Sequence, residues 1–175
     1  MSAVVKGTHM KITRSNISTI VTVLAVLVLI AAIPSAVRDT LETGRVYLFS
    51  AQFLEELPQR LTGPGRFRFV LQPLVAIFLG WRSGLSDARA GRPAYLYGLL
   101  TGEANRKDSL RSGWAAIRDL VALAIILDAG SQLLIYGQVH PGAAVIVGPV
   151  LITIPYAVAR ALTNRVVRPG RRANS

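Results

Sequence analysis

The stretch LVALAIILDAGSQLLIY, residues 120–136, is apolar almost throughout, yet it carries Asp128 at its centre, with Ser131 and Gln132 one turn further on. What a carboxylate does in a segment built to avoid water depends on the chain around it. Hydrophobic residues make up 51% of the 175 residues, charged residues only 17%, and the mean hydropathy is +0.44. Soluble domains average about 25% charged residues, so the composition reads as that of a membrane protein.

Several function classes drop out at once. Cysteine is absent, which removes disulfides, thiol nucleophiles and cysteine metal sites. The two histidines, His9 and His140, are far apart, so no histidine-rich metal site is expected, and no cofactor. The net charge of +11 does not point to nucleic acid. The basic residues are spread along the chain and flank apolar segments, as in membrane proteins, with no basic, aromatic-interleaved soluble module.

Working outward, the chain divides as follows. Residues 1–14 form a basic tail with Lys6, Lys11 and Arg14. Residues 15–37 are 23 residues without a charge, enough at ~1.5 Å per residue to cross a ~30 Å hydrocarbon core. A basic flank before an apolar run also resembles a signal peptide. The run is long for one, and Ile33-Pro34 is a poor cleavage site, so a retained first span is expected. Residues 38–65 place Val46, Phe49, Phe53, Leu57 and Leu61 at three- and four-residue spacing, the stripe of an amphipathic helix. Glu55, Glu56 and Arg60 fall off that stripe. The expected role is a helix lying on the membrane surface or on the protein's own spans.

Gly63-Pro64-Gly65 breaks the chain and lacks the Walker spacing and lysine. Residues 66–84 form a short second span. Its charge-free core runs only from Phe69 to Trp81, about 20 Å, with Arg66, Arg68 and Arg82 able to snorkel and Pro73 expected to kink it. Residues 85–118 are a basic loop in which Asn105 can cap an interfacial helix bearing Leu110, Trp114 and Ile117. That helix is expected to run directly into the third span, 119–137. A short turn, 138–142, leads to a fourth span, 143–160, with kinks expected at Gly148, Pro149 and Pro155. A basic tail, 161–175, ends the chain, and Arg160 at the boundary is counted with it.

Charge orders these spans. With both ends in the cytoplasm, inner segments carry fifteen Lys/Arg and outer segments five. If residues 66–84 did not cross, residues 38–119 would lie outside with twelve, against the positive-inside tendency. The fold class expected is therefore all-α: four transmembrane helices plus two amphipathic interfacial helices, N-in and C-in.

On that topology Asp128 lies near the bilayer middle, where an ionised acid costs at least ~2.5–3.5 kcal/mol. Three readings compete. In the first, Asp128 is structural glue, protonated and bonded to another helix, with Gln72, Thr153 or a carbonyl freed by Pro73 or Pro149 as partner. Ser131 and Gln132 share its face. Asn at position 128 is then nearly silent and Leu destabilising. In the second, Asp128 marks a proton or ion path in a small oligomeric transporter, and Asn abolishes the flux. In the third it faces a partner protein's helix. Catalysis is not expected. Ser131 lies ~13 Å of helix from His140, no GxSxG is present, and Asp87 with Arg89 and Arg92 lacks the second acid that a metal-assisted transferase needs.

The stretches LTGPGRFRFVLQPLVAIFLGWRSGLSDARAGRP and HPGAAVIVGPVLITIPYAVARALTNR resemble a family of small multi-pass bacterial inner-membrane proteins. The resemblance covers about Phe53 to Arg165, and residues 1–10 are peripheral to it. It implies a Gram-negative cytoplasmic membrane and a multi-pass fold, and it implies no activity.

The function expected is non-enzymatic: a structural or accessory component, or an assembly factor, of a membrane complex. The transporter is the alternative. Expected partners are another membrane protein or a second copy, and anionic lipid head groups at Arg82, Arg89, Arg92, Arg106, Lys107, Arg111, Arg165 and Arg168, each such basic residue contributing ~1 kcal/mol.

Overall fold

The computed structural model describes residues 14–101 and 106–172, and the side chains of 15–98, 100 and 106–167. The tail before residue 14 and the expected cap at Asn105 lie outside the described residues. Six α-helices follow in order: α1 (Arg14–Thr43), α2 (Ala51–Thr62), α3 (Arg68–Arg89), α4 (Tyr95–Thr101), α5 (Arg106–Tyr136) and α6 (Pro141–Arg172), with a 3₁₀ turn at Tyr47–Phe49 before α2. Four of them, α1, α3, α5 and α6, are long and apolar enough to cross a membrane. The chain is all-helical among its described residues and compatible with a multi-pass membrane protein. Helices suit that setting because they satisfy every backbone donor and acceptor internally.

The short second segment gains length from its flanks. α3 has 22 residues, about 33 Å, because Arg68 and the run up to Arg89 join the helix. α5 has 31 residues, so the basic stretch and the apolar stretch 120–136 are one rod. α6 continues unbroken through Pro149 and Pro155 to Arg172, well past residue 160. Gly137 ends α5 at φ +69°, the left-handed conformation that glycine adopts without a Cβ clash.

The most extensive contact joins α3 to α6. On α3, Gln72, Ala76, Gly80, Gly84 and Ala88 are buried at every fourth position. On α6, Ala144, Gly148, Ile152, Tyr156, Arg160 and Asn164 repeat the same spacing and are buried. Small residues let two backbones approach closely. A Cβ at Gly84 would lie 2.5 Å from the Arg160 carbonyl oxygen, and one at Gly80 would strike that of Tyr156. The core is completed by Ile117, Val121 and Ala124 of α5 against Ala76, Ile152 and Tyr156.

α1 attaches along a narrow seam. Ser18, Ala25 and Ala32, seven residues apart, are buried, and the Ser18 hydroxyl donates to the Asp119 carboxylate at 2.6 Å. Much of the rest of α1 is exposed aliphatic surface, including Ile20, Leu27 and Ile30. The turn at Gly63-Pro64-Gly65 folds α2 back over the end of the bundle. Gly65 has φ +80°, and a Cβ there would strike the Ser131 hydroxyl. This end, where α1 finishes and α3 begins, is termed the α2 end; the opposite one is the α4 end.

Candidate functional site

Asp128 is 1% exposed and lies between two buried arginines, Arg60 and Arg68. Arg68 Nη2 is 2.8 Å from Asp128 Oδ1. Arg60 Nη1 lies 3.4 Å from Oδ2, which also accepts from Gln132 Nε2 at 2.6 Å. Arg68 begins α3 and Arg60 ends α2, so the carboxylate ties both helices to α5. The partners therefore sit at the end of the second span, and Asp128 is level with the first turn of α3 rather than with its middle.

The network extends from this pair. Arg68 Nη1 donates to the Leu127 carbonyl at 3.1 Å. Arg60 Nη2 donates to the Tyr47 hydroxyl at 3.0 Å, and that hydroxyl donates to the Glu56 carboxylate. The Arg60 guanidinium is ringed by Tyr47, Phe53 and Tyr136, with centroids 5.5–5.9 Å away. Burial disfavours the Arg60 charge, but the bonds to Tyr47 and the Asp128 carboxylate outweigh it and hold its pKa above the ordinary arginine value. Burial, then the hydrogen bond to Glu56, pushes the Tyr47 phenol well above its usual range. On the other flank, Gln132 Oε1 accepts from the His140 backbone N–H at 2.8 Å, which closes the α5–α6 connection. The His140 ring stacks on Tyr47 at 3.6 Å, and its Nε2 is 3.6 Å from Asp39.

Of the residues singled out from sequence, Asp128, Ser131, Gln132 and Gln72 are all buried. Asp128 and Gln132 bond each other, whereas the Ser131 hydroxyl is turned to the Leu127 carbonyl at 2.9 Å. Gln72 does not bond Asp128, and its amide finds no protein partner among the described residues. Thr153 is exposed on the outside of α6 and takes no part. The arginines displace these neutral partners because a buried carboxylate gains far more from an opposite charge than from an amide or a hydroxyl. Pro73 and Pro149 lie inside continuous helices. Gly148 packs closely on α5, where an added Cβ would lie 3.0 Å from the Ala124 backbone.

Arg60 is the residue that sequence reasoning missed. It falls off the apolar stripe of α2, yet it is 1% exposed. Leu54, Leu57 and Leu61 face outward instead. The buried side of α2 carries Arg60, with Phe53 and Glu56 half-buried beside it. The usable signal was Asp128 itself, since ionisable groups within spans pair with one another.

A second cluster occupies the α4 end. Arg160 is 5% exposed, so it does not belong to a solvated tail. Its Nε and Nη2 donate to the two oxygens of Asp87 at 2.6 and 3.2 Å. Its Nη1 donates to the Tyr156 hydroxyl at 3.0 Å, and Nη2 also reaches the Ser112 hydroxyl at 3.2 Å. The Tyr95 ring lies 4.2 Å from the guanidinium carbon, and burial raises the pKa of its phenol. Arg92 Nη1 approaches Asp87 at 3.3 Å from a side chain that is 63% exposed. Arg82, Arg89, Arg106, Lys107, Arg111 and Arg165 are exposed around this end. The side chain of Arg168 lies outside the described residues.

Comparison with protein-family models, curated proteins and solved structures finds no match, so a functional reading rests on the two buried ionic clusters and the four apolar helices.

Proposed function

We propose that this chain is a structural or accessory integral protein of the bacterial cytoplasmic membrane, with four spans and both termini inside, serving as a component or assembly factor of a membrane complex. The observation that carries this reading is the state of Asp128. Its carboxylate is paired with Arg60 and Arg68 and bonded by Gln132, contacts that fasten three helices together. A proton or ion relay needs a carboxylate that exchanges its partner during turnover. A carboxylate clasped by two guanidiniums suits a staple better.

The orientation draws support from exposed charge. With Arg60, Arg68 and Arg160 buried, the described residues still expose eight Lys/Arg around the α4 end and only Arg38, Arg45 and Arg66 at the α2 end. That bias favours the α4 end as the cytoplasmic one, and its basic surface as the part that meets anionic lipid. On this topology the outward leucines of α2 rest in the outer membrane interface. The non-enzymatic reading is favoured by the Ser131 hydroxyl being engaged by Leu127 and the His140 ring by Tyr47.

The first experiment is gentle purification from the native membrane at native expression, followed by intact-complex mass. A stoichiometric foreign subunit is the expected result. A homo-oligomer alone, together with a pH-driven flux in liposomes that Asp128→Asn abolishes, would replace this reading with the transporter.

A further inference from the structure

Toward the α2 end, α1 and α6 part to leave a groove of about 440 Å³. Val26, Ile30 and Ile33 of α1 and Val145 and Ile146 of α6 line it, joined by Leu48 of the 3₁₀ turn, and every lining residue is apolar. The groove follows from the way α1 is attached. α1 packs mainly on α5 and little on α6, and its buried seam of Ser18, Ala25 and Ala32 is narrow. The large aliphatic side chains beside that seam stay exposed.

Size and depth limit what can fill the groove. From Val26 to Ile33 it follows about 10 Å of helix axis. A partner helix, ~10–12 Å across, would need on the order of 800 Å³ over that length, close to twice what is open. An extended hydrocarbon chain is far thinner. Arg38 is the first charge after the apolar run of α1 and is exposed. Ile33 and Val26 lie about 8 and 18 Å before it along the axis. With Arg38 at the membrane surface, the groove falls at the depth of one leaflet's acyl chains, half of a ~30 Å core.

We infer that the groove holds one acyl chain of an outer-leaflet phospholipid, which completes the attachment of α1 to α6. Side chains without neighbours on one side lose their dispersion contacts, and a chain entering from the bilayer restores them on both helices at once. The wall offers no polar side chain, so the chain is recognised and the head group is not. This inference rests on the proposed membrane topology and names a ligand for the α1–α6 face.

The test is stepwise delipidation of the full chain from vesicles of dioleoyl phosphatidylcholine or dioleoyl phosphatidylglycerol, read by native mass spectrometry. One lipid per chain is expected to outlast the rest, equally with either head group. Gly142 lines the groove, and an added Cβ there meets nothing within 4 Å. Gly142→Leu should therefore fill the groove and lower the retained fraction at least about fivefold, by taking the chain's contacts. Gly130→Leu, equally unobstructed but outside the groove, should change it less than about twofold. Val145→Phe is a second filler and should act as Gly142→Leu does. Lipids that leave together with no last one, or equal retention in Gly142→Leu and Gly130→Leu, would overturn the site in favour of an ordinary lipid annulus. A dimer that Gly142→Leu abolishes would overturn it in favour of a second copy. Alkaline extraction of membranes separates the two levels: a retained protein with no persistent lipid sinks the groove alone, and a released protein sinks the membrane reading with it.

Discussion

Asp128 balances one of two buried guanidiniums by charge and touches both. Its removal is therefore not the loss of one contact but the exposure of two cations to an apolar interior. Asp128→Asn, which would be silent if the partner were an amide or a hydroxyl, is expected to cost about 3–5 kcal/mol, the range for breaking a buried ion pair from one side. Arg60→Met should cost less, because Arg68 still holds the carboxylate at 2.8 Å. Unfolding of the variants in mixed micelles measures both, and a wild-type midpoint for Asp128→Asn would remove the staple. His140 adds a pH dependence. Burial lowers its pKa, the carboxylates of Asp39 and Glu56 oppose that shift, and Arg60 reinforces it, with the Tyr47 ring stacked on its face. A depressed folded pKa means the unfolded chain takes up the proton first. Stability is then complete above the unfolded value, about pH 6.5, and is lost as pH falls through the folded one. The unfolding midpoint should drop between pH 7.5 and 5.5, and His140→Gln should flatten that slope.

At the scale of the element, α3 and α6 depend on the absence of side chains. Gly84 faces the Arg160 carbonyl, and backbone cannot move aside as a flexible side chain can. Gly84→Ala is expected to separate the helices at a cost of about 1–3 kcal/mol, and to disturb the Asp87–Arg160 pair that the close approach sets up. Gly130 is the contrast. It lies inside α5 with nothing within 4 Å of an added Cβ, so Gly130→Ala should stabilise by about 0.5–1 kcal/mol. Thermal unfolding of the two variants in the same detergent gives opposite signs if the packing is as described. α2 shows the same dependence on context. Its apolar stripe is plain in the sequence, yet the side that packs on the bundle is the one with Arg60 and Glu56. On the proposed topology the leucines rest in the membrane interface, so the helix gains most by burying the group that has an ionic partner.

For the whole molecule, the distribution of exposed charge leads to a topology that is direct to measure. The 175-residue chain holds no cysteine, so single cysteines introduced into it report without background. Gln52→Cys, exposed on α2, should react with a membrane-impermeant maleimide in intact spheroplasts. Lys107→Cys, exposed at the start of α5, should react only after lysis. The reverse pattern would invert the orientation and, with it, the assignment of the basic end to the inner surface.

The sequence by itself determined the helices that can span. Runs such as 15–37 and 120–136 are long and apolar enough to cross a membrane, and the local pattern of hydropathy needs no partner to be read. It also placed Asp128, Ser131 and Gln132 on one buried face, because helical spacing is a property of the chain alone. The stripe from Gln72 to Ala88 was present in the letters too, at every fourth position, but only the proximity of α6 gives small residues their meaning. The partners of Asp128 and Asp87 were decided by the tertiary structure. Arg60 is 68 residues from Asp128, and Arg160 is 73 from Asp87. Which of twenty basic residues reaches a given acid depends on how α2 folds back and how closely α3 meets α6. That is set by packing across the bundle, which no local pattern records.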